Sequence, residues 1–184
     1  MTTTPIYFTH GDLIAESGNM RIYDFNGLLH LEEGPGHTLW AIEDEIDEYK
    51  EQIGNYPRGD CLEIGLGLGI ASRHILSCRG VNSLTTVEIS EDTIIVQKQA
   101  YFIDDKRHEV VCMDGLSYIN STDKAFDFIF MDFYHFIDEE GLPEIETYVK
   151  ACKRILRKDG KIVGWFDIHT PEEFVEPFYE IFKE

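Results

Sequence analysis

Three glycines that alternate with other residues form the most informative pattern in the chain. Gly65, Gly67 and Gly69 permit a tight turn between a strand and a helix, and they let a ligand lie against the backbone at the helix N-terminus. Glu63 stands just before the first of them, and Glu88 lies 19 residues after the last, at the end of the next predicted strand. A carboxylate in that second position can accept hydrogen bonds from both hydroxyls of a ribose. The spacing therefore predicts a nucleotide site.

A second group of candidate residues follows the predicted fourth strand, in the run Asp132, Phe133, Tyr134 and His135. An acid at the carboxyl end of a central strand faces the crevice in which open α/β sheets bind substrates. Asp132 could therefore orient an amine or guanidine and accept its proton, although an acid there can also cap a helix or anchor a loop. Tyr134 and His135 could shape the pocket for the acceptor, with packing and a structural role as the alternatives.

Strands and helices must alternate to bring these residues together, and the sequence predicts such an arrangement from residue 59 onward. Apolar runs predict five strands, at Cys61–Ile64, Leu84–Ile89, Glu109–Met113, Phe126–Met131 and Lys161–Phe166. Other patterns predict helices at Ile70–Cys78, from Ser90, at Gly115–Asn120, at Glu144–Arg157 and from about Thr170 to Lys183. Repeated βα units of this length indicate an α/β fold with a Rossmann-like, doubly wound and mainly parallel sheet.

The first 58 residues have a different pattern, that of a β-hairpin region followed by a helix. Three short apolar-rich runs occur there, at Leu13–Glu16, Met20–Phe25 and Leu28–Glu32. Asn26-Gly27 is a strong signal for a two-residue hairpin turn, and apolar residues at spacings of three or four predict a helix over residues 38–53. We therefore expect an N-terminal extension at 1–58 and a nucleotide-binding domain at 59–184.

The composition excludes several classes of partner and site. With 16 basic and 35 acidic residues the formal charge is −19 at pH 7, which disfavours binding to nucleic acid or to an anionic membrane. The four cysteines are widely spaced single residues, so neither a disulfide framework nor a zinc site is expected. The sequence lacks a signal-peptide pattern and any apolar run of the roughly 20 residues that span a membrane. We expect a cytoplasmic protein without a metal centre.

The glycine pattern and its flanking acids resemble the first motif of class I S-adenosylmethionine (SAM)-dependent methyltransferases. This resemblance implies that SAM binds with its methionine and ribose along the three glycines, with Glu63 at the turn and the amino group, and with Glu88 at the ribose diol. It also implies that Ile89, Asp114 and Gly115 belong to the cofactor site, with Asp114 at the adenine amine. An NAD-binding unit is the main alternative, but its loop reads Gly-x-Gly-x-x-Gly rather than Gly-x-Gly-x-Gly.

That resemblance covers roughly residues 59–168, and the chain also resembles a narrower group, the spermidine synthases. Asn26–Glu33 and Tyr49–Ile53 are similar to the hairpin and the Tyr-x-Glu helix of that group. Asp114-Gly115 matches its Asp-Gly after the third strand, and Asp132 matches its proton-accepting acid after the fourth. Nearly the whole chain therefore looks like a protein of the spermidine-synthase type.

Several positions depart from the spermidine synthases. His135 stands at the second acid of their Asp-x-x-Asp signature, and His30 replaces a hairpin glutamine. Leu68 stands where their glycine loop has an acid that engages the aminopropyl end of decarboxylated SAM, and Glu63 stands where that loop has none. The Glu63 pattern suits intact SAM, and Asp132–Tyr134 is similar to the Asp-x-Tyr of guanidinoacetate methyltransferases.

The resemblances together imply methyl transfer from SAM to a small, cationic, nitrogen-containing acceptor. The alternatives are aminopropyl transfer from decarboxylated SAM and non-catalytic nucleotide binding. The class I fold usually finishes with a further hairpin, and this chain stops at Glu184, so the resemblance implies a shortened C-terminus. A second copy of the chain in a homo-oligomer is one way to cover the sheet edge that this would expose.

Overall fold

An antiparallel sheet of four strands opens the described part of the chain. The structure, a computed structural model, describes residues 11–34, 38–134, 137–167 and 170–183. The strands of this first sheet are Asp12–Ser17 (β1), Met20–Phe25 (β2), Leu28–Glu33 (β3) and Thr38–Ile42 (β4), and they pair in chain order. Asn26 and Gly27 both adopt positive φ, at 55° and 88°, as the predicted hairpin turn requires.

The prediction of one helix over residues 38–53 is wrong for the first half of that range. β4 pairs with the free edge of β3, a 3-10 turn follows at Glu43–Glu45, and the helix covers only Ile46–Ile53 (α1). The edge of β3 offers backbone hydrogen bonds that a helix could not use, and a run of Thr, Leu, Trp, Ala and Ile suits a strand. The spacing of apolar residues along the sequence does not show that the edge of β3 is open for another strand to pair with it.

Five parallel strands form the second sheet, as predicted. They are Gly59–Ile64 (β5), Val81–Glu88 (β6), His108–Cys112 (β7), Phe126–Met131 (β8) and Leu156–Gly164 (β9), in the spatial order β7-β6-β5-β8-β9. The helices that accompany them are Ile70–Ser77 (α2), Glu91–Ala100 (α3), Gly115–Ser121 (α4), Gly141–Ile155 (α5) and Glu172–Lys183 (α6).

Helices cover both faces of the parallel sheet, so the fold is doubly wound. Alternate residues of β8 point to opposite faces, with Phe128 and Phe130 packed among residues of α1, α2 and α3. Ile129 and Met131 pack among residues of α4, α5 and α6. The strand is therefore buried on both sides, which explains its nearly continuous apolar sequence.

The carboxyl ends of β5 and β8 approach each other closely at Gly65. The N–H of Asp132 donates to the carbonyl of Ile64 at 2.8 Å, and the N–H of Gly65 donates to Val87 at 2.9 Å. Gly65 has a φ of 95°, and a Cβ placed on it would lie 1.8 Å from the carbonyl oxygen of Asp132. Only glycine fits at this position, because any side chain would displace the backbone that carries Asp132.

Among the helices within the described ranges, none is long and apolar enough to cross a membrane. A search of the same ranges finds no group of three or more His, Cys, Asp or Glu side chains that could hold a metal ion.

We expect Gly65→Ala to destabilise the protein far more than Gly67→Ala. Gly67 also has a positive φ, of 49°, but the nearest atom to an added Cβ is the Ala41 side chain at an ordinary 3.7 Å. Gly67→Ala should therefore cost only the left-handed backbone conformation, about 1 kcal/mol, whereas Gly65→Ala should cost several times as much because of the backbone clash. Thermal and urea denaturation of the two variants would measure this, and equal losses would show that the close approach is absent.

Candidate active site

A cavity of about 670 Å³ lies at the carboxyl ends of the parallel strands. Both neighbours of β5 contribute to its lining, and the order of the strands reverses between β5 and β8. Open α/β sheets bind their ligands at such a reversal point. Residues of β3, β4 and the 3-10 turn also line the cavity, so the first sheet contributes to the same site.

Two of the three predicted glycines reach the cavity. Gly65 and Gly67 line it, whereas Gly69 is not among the lining residues. Gly69 begins α2 with a φ of 77°, and a Cβ there would lie 3.0 Å from atoms of Gln97 and Ile103. Its absence of a side chain thus allows the helix start to pack against α3 and the chain that follows it.

Glu63 lies beneath the glycine turn and is fully buried. The hydroxyl of Ser72 donates to its Oε2, as does the hydroxyl of Thr86 at 2.5 Å. These bonds connect β5 to α2 and β6 on either side of the turn, and the carboxyl is not part of the cavity lining. Burial raises the pKa of Glu63 to about 8. The structure thus places Glu63 where it can order the turn, away from the cavity.

Glu88 lines the cavity at the end of β6 and has both carboxylate oxygens engaged. Its Oε2 accepts from the N–H of Leu66 in the glycine turn at 2.9 Å, and its Oε1 accepts from Ser90 at 2.8 Å. Each carboxylate oxygen can accept more than one hydrogen bond, so both keep capacity for a ligand hydroxyl. The neighbouring Ile89 also lines the cavity and is 71% exposed, which places an apolar group at its rim.

Asp114 and Gly115 join β7 to α4 and also line the cavity. Asp114 caps the helix, because its Oδ1 accepts from the N–H of Ser117 at 2.7 Å. Hydrogen bonds from the side chain and then the backbone of Ser117 lower the pKa of the carboxyl. Gly115 is buried, and a Cβ there would lie 2.8 Å from Ile64 and 3.0 Å from Tyr148. The structure therefore gathers Glu88, Ile89, Asp114 and Gly115 around one part of the cavity lining.

Asp132 lies half-buried directly after β8 and accepts a hydrogen bond from Tyr49. The phenol oxygen of Tyr49 is 2.6 Å from its Oδ2. Burial raises the pKa of Asp132 to about 6, and the bond from Tyr49 acts in the opposite direction. The ring of Tyr49 stacks on Trp165 with 5.6 Å between centroids. Asp132, Tyr49 and Trp165 line the cavity together.

The other two residues predicted beside Asp132 have different outcomes. Tyr134 lines the cavity, but its hydroxyl donates to the backbone carbonyl of Trp165. That bond holds the loop after β9 and occupies the hydroxyl. His135 lies outside the described residues.

Helix α1 is attached to the parallel sheet by its side chains. The amide of Gln52 donates to the carbonyl of Phe166 at 2.8 Å and accepts from the N–H of Phe166 at 3.0 Å. These two bonds and the Tyr49–Asp132 bond fix α1 beside the ends of β8 and β9. The first-sheet region is therefore part of the site's framework.

Sequence reasoning missed several residues that line the cavity, notably Glu45, Trp40 and Trp165. Glu45 stands in a run of acids that would suit a solvated helix face, yet it is half-buried and its pKa is raised to about 7, mainly by burial. Trp165 directly follows the fifth parallel strand, so the rule that ligands bind at carboxyl ends of strands could have identified it. Trp40 lies on β4, which the sequence did not predict.

The cavity is strongly acidic. The carboxylates that line it belong to Glu33, Glu45, Glu88, Asp114, Asp132, Glu144 and Asp167. Within the described part of the chain, none of the residues that line it is Lys, Arg or His. The site is therefore suited to a ligand that carries positive charge.

Residues 62–164, more than half of the chain, match the family model described as a methyltransferase domain. The chain belongs to this methyltransferase-domain family. The match begins in the second half of β5 and ends with β9, so it includes part or all of every strand of the parallel sheet.

Curated relatives of this methyltransferase-domain protein are polyamine aminopropyltransferases. The one from Prochlorococcus marinus is 31% identical over 131 residues, which are 66% of this chain and 45% of the relative. The one from Escherichia fergusonii is 31% identical over 111 residues, which are 57% of this chain and 38% of the relative. The chain spans less than half the length of these relatives.

Solved structures confirm the fold that the resemblances implied. Spermidine synthase from Thermotoga maritima superposes with a TM-score of 0.63 and 20% identity, covering 94% of this chain and 64% of that one. A protein from Streptococcus mutans described as a SAM-dependent methyltransferase gives a TM-score of 0.60 and 16% identity, covering 92% and 48%.

We expect the stability of the protein to fall as the pH rises from 6 to 9, and Glu63→Gln to reduce this fall. The pKa of Glu63 is raised from about 4.5 to about 8 in the folded chain, so folding favours its protonated form. The resulting stability is complete below pH 4.5 and is lost as the pH passes through 8. Glutamine keeps the shape and an acceptor oxygen for Ser72 and Thr86.

Thermal midpoints at pH 6, 7.5 and 9 would measure this slope for the wild type and both variants, with the exposed Glu91→Gln as control. If Glu63→Gln and Glu91→Gln have the slope of the wild type, Glu63 is ionised in the folded protein and its assignment as a buried neutral acid is wrong.

Proposed function

We propose that the protein is a SAM-dependent methyltransferase that acts on a small, cationic, nitrogen-containing acceptor. The observation that carries this proposal is one cavity that combines a glycine turn and Glu88 with the hydrogen-bonded pair Asp132 and Tyr49. The first set is suited to a nucleoside and the second to an amine. Their common cavity lets a donor and an acceptor meet.

The residues of the nucleotide part fit SAM. Gly65 and Gly67 leave backbone surface without side chains along the cavity, and Glu88 retains acceptor capacity for the ribose hydroxyls. Ile89 and Met113, 71% and 41% exposed, offer apolar contact for a purine beside the carboxylate of Asp114. When bound, SAM supplies a methyl group that its sulfonium has already activated.

The residues of the acceptor part would orient and deprotonate the nucleophile. Asp132, with a pKa raised to about 6, is mostly ionised at neutral pH and can hold an ammonium or guanidinium group. The bond from Tyr49 fixes the direction of its carboxylate. Because methyl transfer needs a neutral nitrogen aligned with the donor, a fixed base at this point contributes both orientation and proton acceptance.

Aminopropyl transfer is the second candidate, and the charge of the cavity favours it. Intact SAM carries a carboxylate, which forms its strongest hydrogen bonds with cationic side chains or with backbone N–H groups. The described lining contains acids without Lys, Arg or His, and decarboxylated SAM has only positive charge to offer them. Two aminopropyltransferases are among the relatives, and a spermidine synthase bound to the transition-state analogue AdoDATO shares the fold at a TM-score of 0.65.

Calorimetric titration with SAM, decarboxylated SAM and methylthioadenosine would separate the two candidates. Methyl transfer requires SAM to bind, and mass spectrometry of a panel containing guanidinoacetate, 1,4-diaminobutane and spermidine should then show a gain of one methyl group. Binding of decarboxylated SAM alone, with transfer of an aminopropyl group, would support the second candidate. Absence of binding by all three nucleotides would reject both.

We expect Glu88→Gln to weaken nucleotide binding by at least tenfold. The substitution removes the charge that strengthens bonds from the ribose hydroxyls, and each such bond to a charged group contributes about 1.5–3 kcal/mol. Glu91→Gln is the matched control, because it removes the same negative charge from an exposed residue three positions after Glu88. Equal dissociation constants for the two variants would show that the ribose contact lies elsewhere.

We expect Asp132→Asn to lower turnover at least a hundredfold, as loss of a positioned base commonly does. The affinity for the nucleotide should stay within a few-fold of the wild type, because Asp132 belongs to the acceptor part. Single-turnover measurements with an accepted amine, together with nucleotide titration, would test both. Unchanged turnover would remove Asp132 from the mechanism.

A further inference from the structure

We infer that Glu45 is an acceptor-binding residue, and that its carboxylate joins Asp132 in pairing with the cationic group of the acceptor. This inference rests on the proposed function, which makes the cavity the place where a cationic acceptor binds. It adds to that function a second acceptor-binding residue and the release of a proton when the acceptor binds. Glu45 lies outside the span that matches the methyltransferase-domain model, which begins at residue 62.

The position of Glu45 follows from the start of helix α1. Glu45 is the N-cap of this helix, and Tyr49 lies four residues later. Residues four apart on a helix project from the same face, so Glu45 lies one turn from the phenol that bonds Asp132. Both carboxyl groups line the same cavity, and Glu45 is half-buried there.

The backbone holds Glu45 in a defined orientation. Its Oε2 accepts from the N–H of Ile42 at 3.3 Å, across the 3-10 turn that joins β4 to α1. That single bond engages one oxygen and leaves the carboxylate able to accept from a ligand. The Glu45 side chain therefore extends from the short 3-10 turn between β4 and α1.

Among the described residues, the charges that shift the pKa of Glu45 are all negative. Its pKa is raised to about 7, chiefly by burial, with the bond from Ile42 opposing the rise and Asp132, Glu48 and Asp167 adding to it. A carboxyl group surrounded by acids takes up a proton when no cation is present. An ammonium group placed between Glu45 and Asp132 would supply the missing positive charge and favour ionisation of both.

An aromatic wall beside these acids is also suited to a cation. Tyr49 and Trp165 stack within the lining, and aromatic faces attract organic cations.

Proton release follows from this arrangement. Near pH 7 about half of the Glu45 carboxyl groups carry a proton, and pairing with an ammonium group sends that proton to the buffer. Simple amines stay protonated between pH 6 and 8, so the affinity should rise with pH as Glu45 ionises. With a pKa near 7 the ionised fraction grows from about one tenth to nine tenths over this range, which gives a rise of up to about tenfold.

Titration of amines into the full chain tests the inference without any need for turnover. The probes are 1,4-diaminobutane, n-butylamine and guanidinoacetate, each with and without methylthioadenosine, and 1,4-butanediol is the neutral counterpart. Calorimetry in two buffers of different ionisation enthalpy measures the protons released. We expect the wild type to bind at least one of the amines and to release protons on binding at pH 7. It should not bind 1,4-butanediol.

Glu45→Gln should weaken amine binding about tenfold or more, reduce the proton release and flatten the rise between pH 6 and 8. Glu51→Gln removes the same charge from an exposed position on the same helix and should change none of these. Nucleotide affinity should be the same in both variants, which would also show that Glu45→Gln is folded.

Equal amine binding and equal proton release in Glu45→Gln and Glu51→Gln would overturn the inference. Failure of the proposed function has a different signature, since SAM would then not bind to the wild type. Binding of amines that depends on Asp132 but not on Glu45 would leave the proposed function intact and would reject Glu45 as an acceptor-binding residue.

Discussion

The site depends on the close approach of two backbones at the ends of β5 and β8. The carbonyl of Asp132 occupies the space that a side chain on residue 65 would need, so the glycine turn and Asp132 pack directly against each other. The Asp132 N–H bond to Ile64 fixes the same contact from the other direction. The glycine turn and Asp132, which both line the cavity, therefore share one close backbone contact.

Desolvation of acids is the second constraint. Glu63, Asp132 and Glu45 all have pKa values raised chiefly by burial. The protein treats them in different ways. Glu63 receives two hydroxyl bonds and serves the turn, Asp132 receives a phenol bond, and Glu45 receives one backbone bond in a cavity lined by other acids. Glu63 is therefore set beneath the turn and away from the cavity, whereas Asp132 and Glu45 both line it.

Much of the fold could be predicted from the sequence because its signals are local. The apolar run of β8, the Asn26-Gly27 turn and the glycine turn each specify their own conformation. β4 could not be predicted, because it forms by pairing with the edge of β3 and its residues also fit a helical spacing. Trp165 and Glu45 were missed for a related reason. Their roles arise only where separate elements meet, and an acid on a charged helix start looks solvent-exposed until that meeting is known.

The bonds of α1 to the parallel sheet have a consequence for the transfer of function between relatives. Tyr49 and Gln52 attach this helix to Asp132 and Phe166, and the matched family span begins after the helix ends. Two chains can therefore agree throughout that span, Asp132 included, and still differ at Glu45 and Tyr49, which line the same cavity. Relatives of this chain are therefore best compared first in the elements from β1 to α1, residues 12–53, because these elements contribute one side of the cavity and lie outside the matched span.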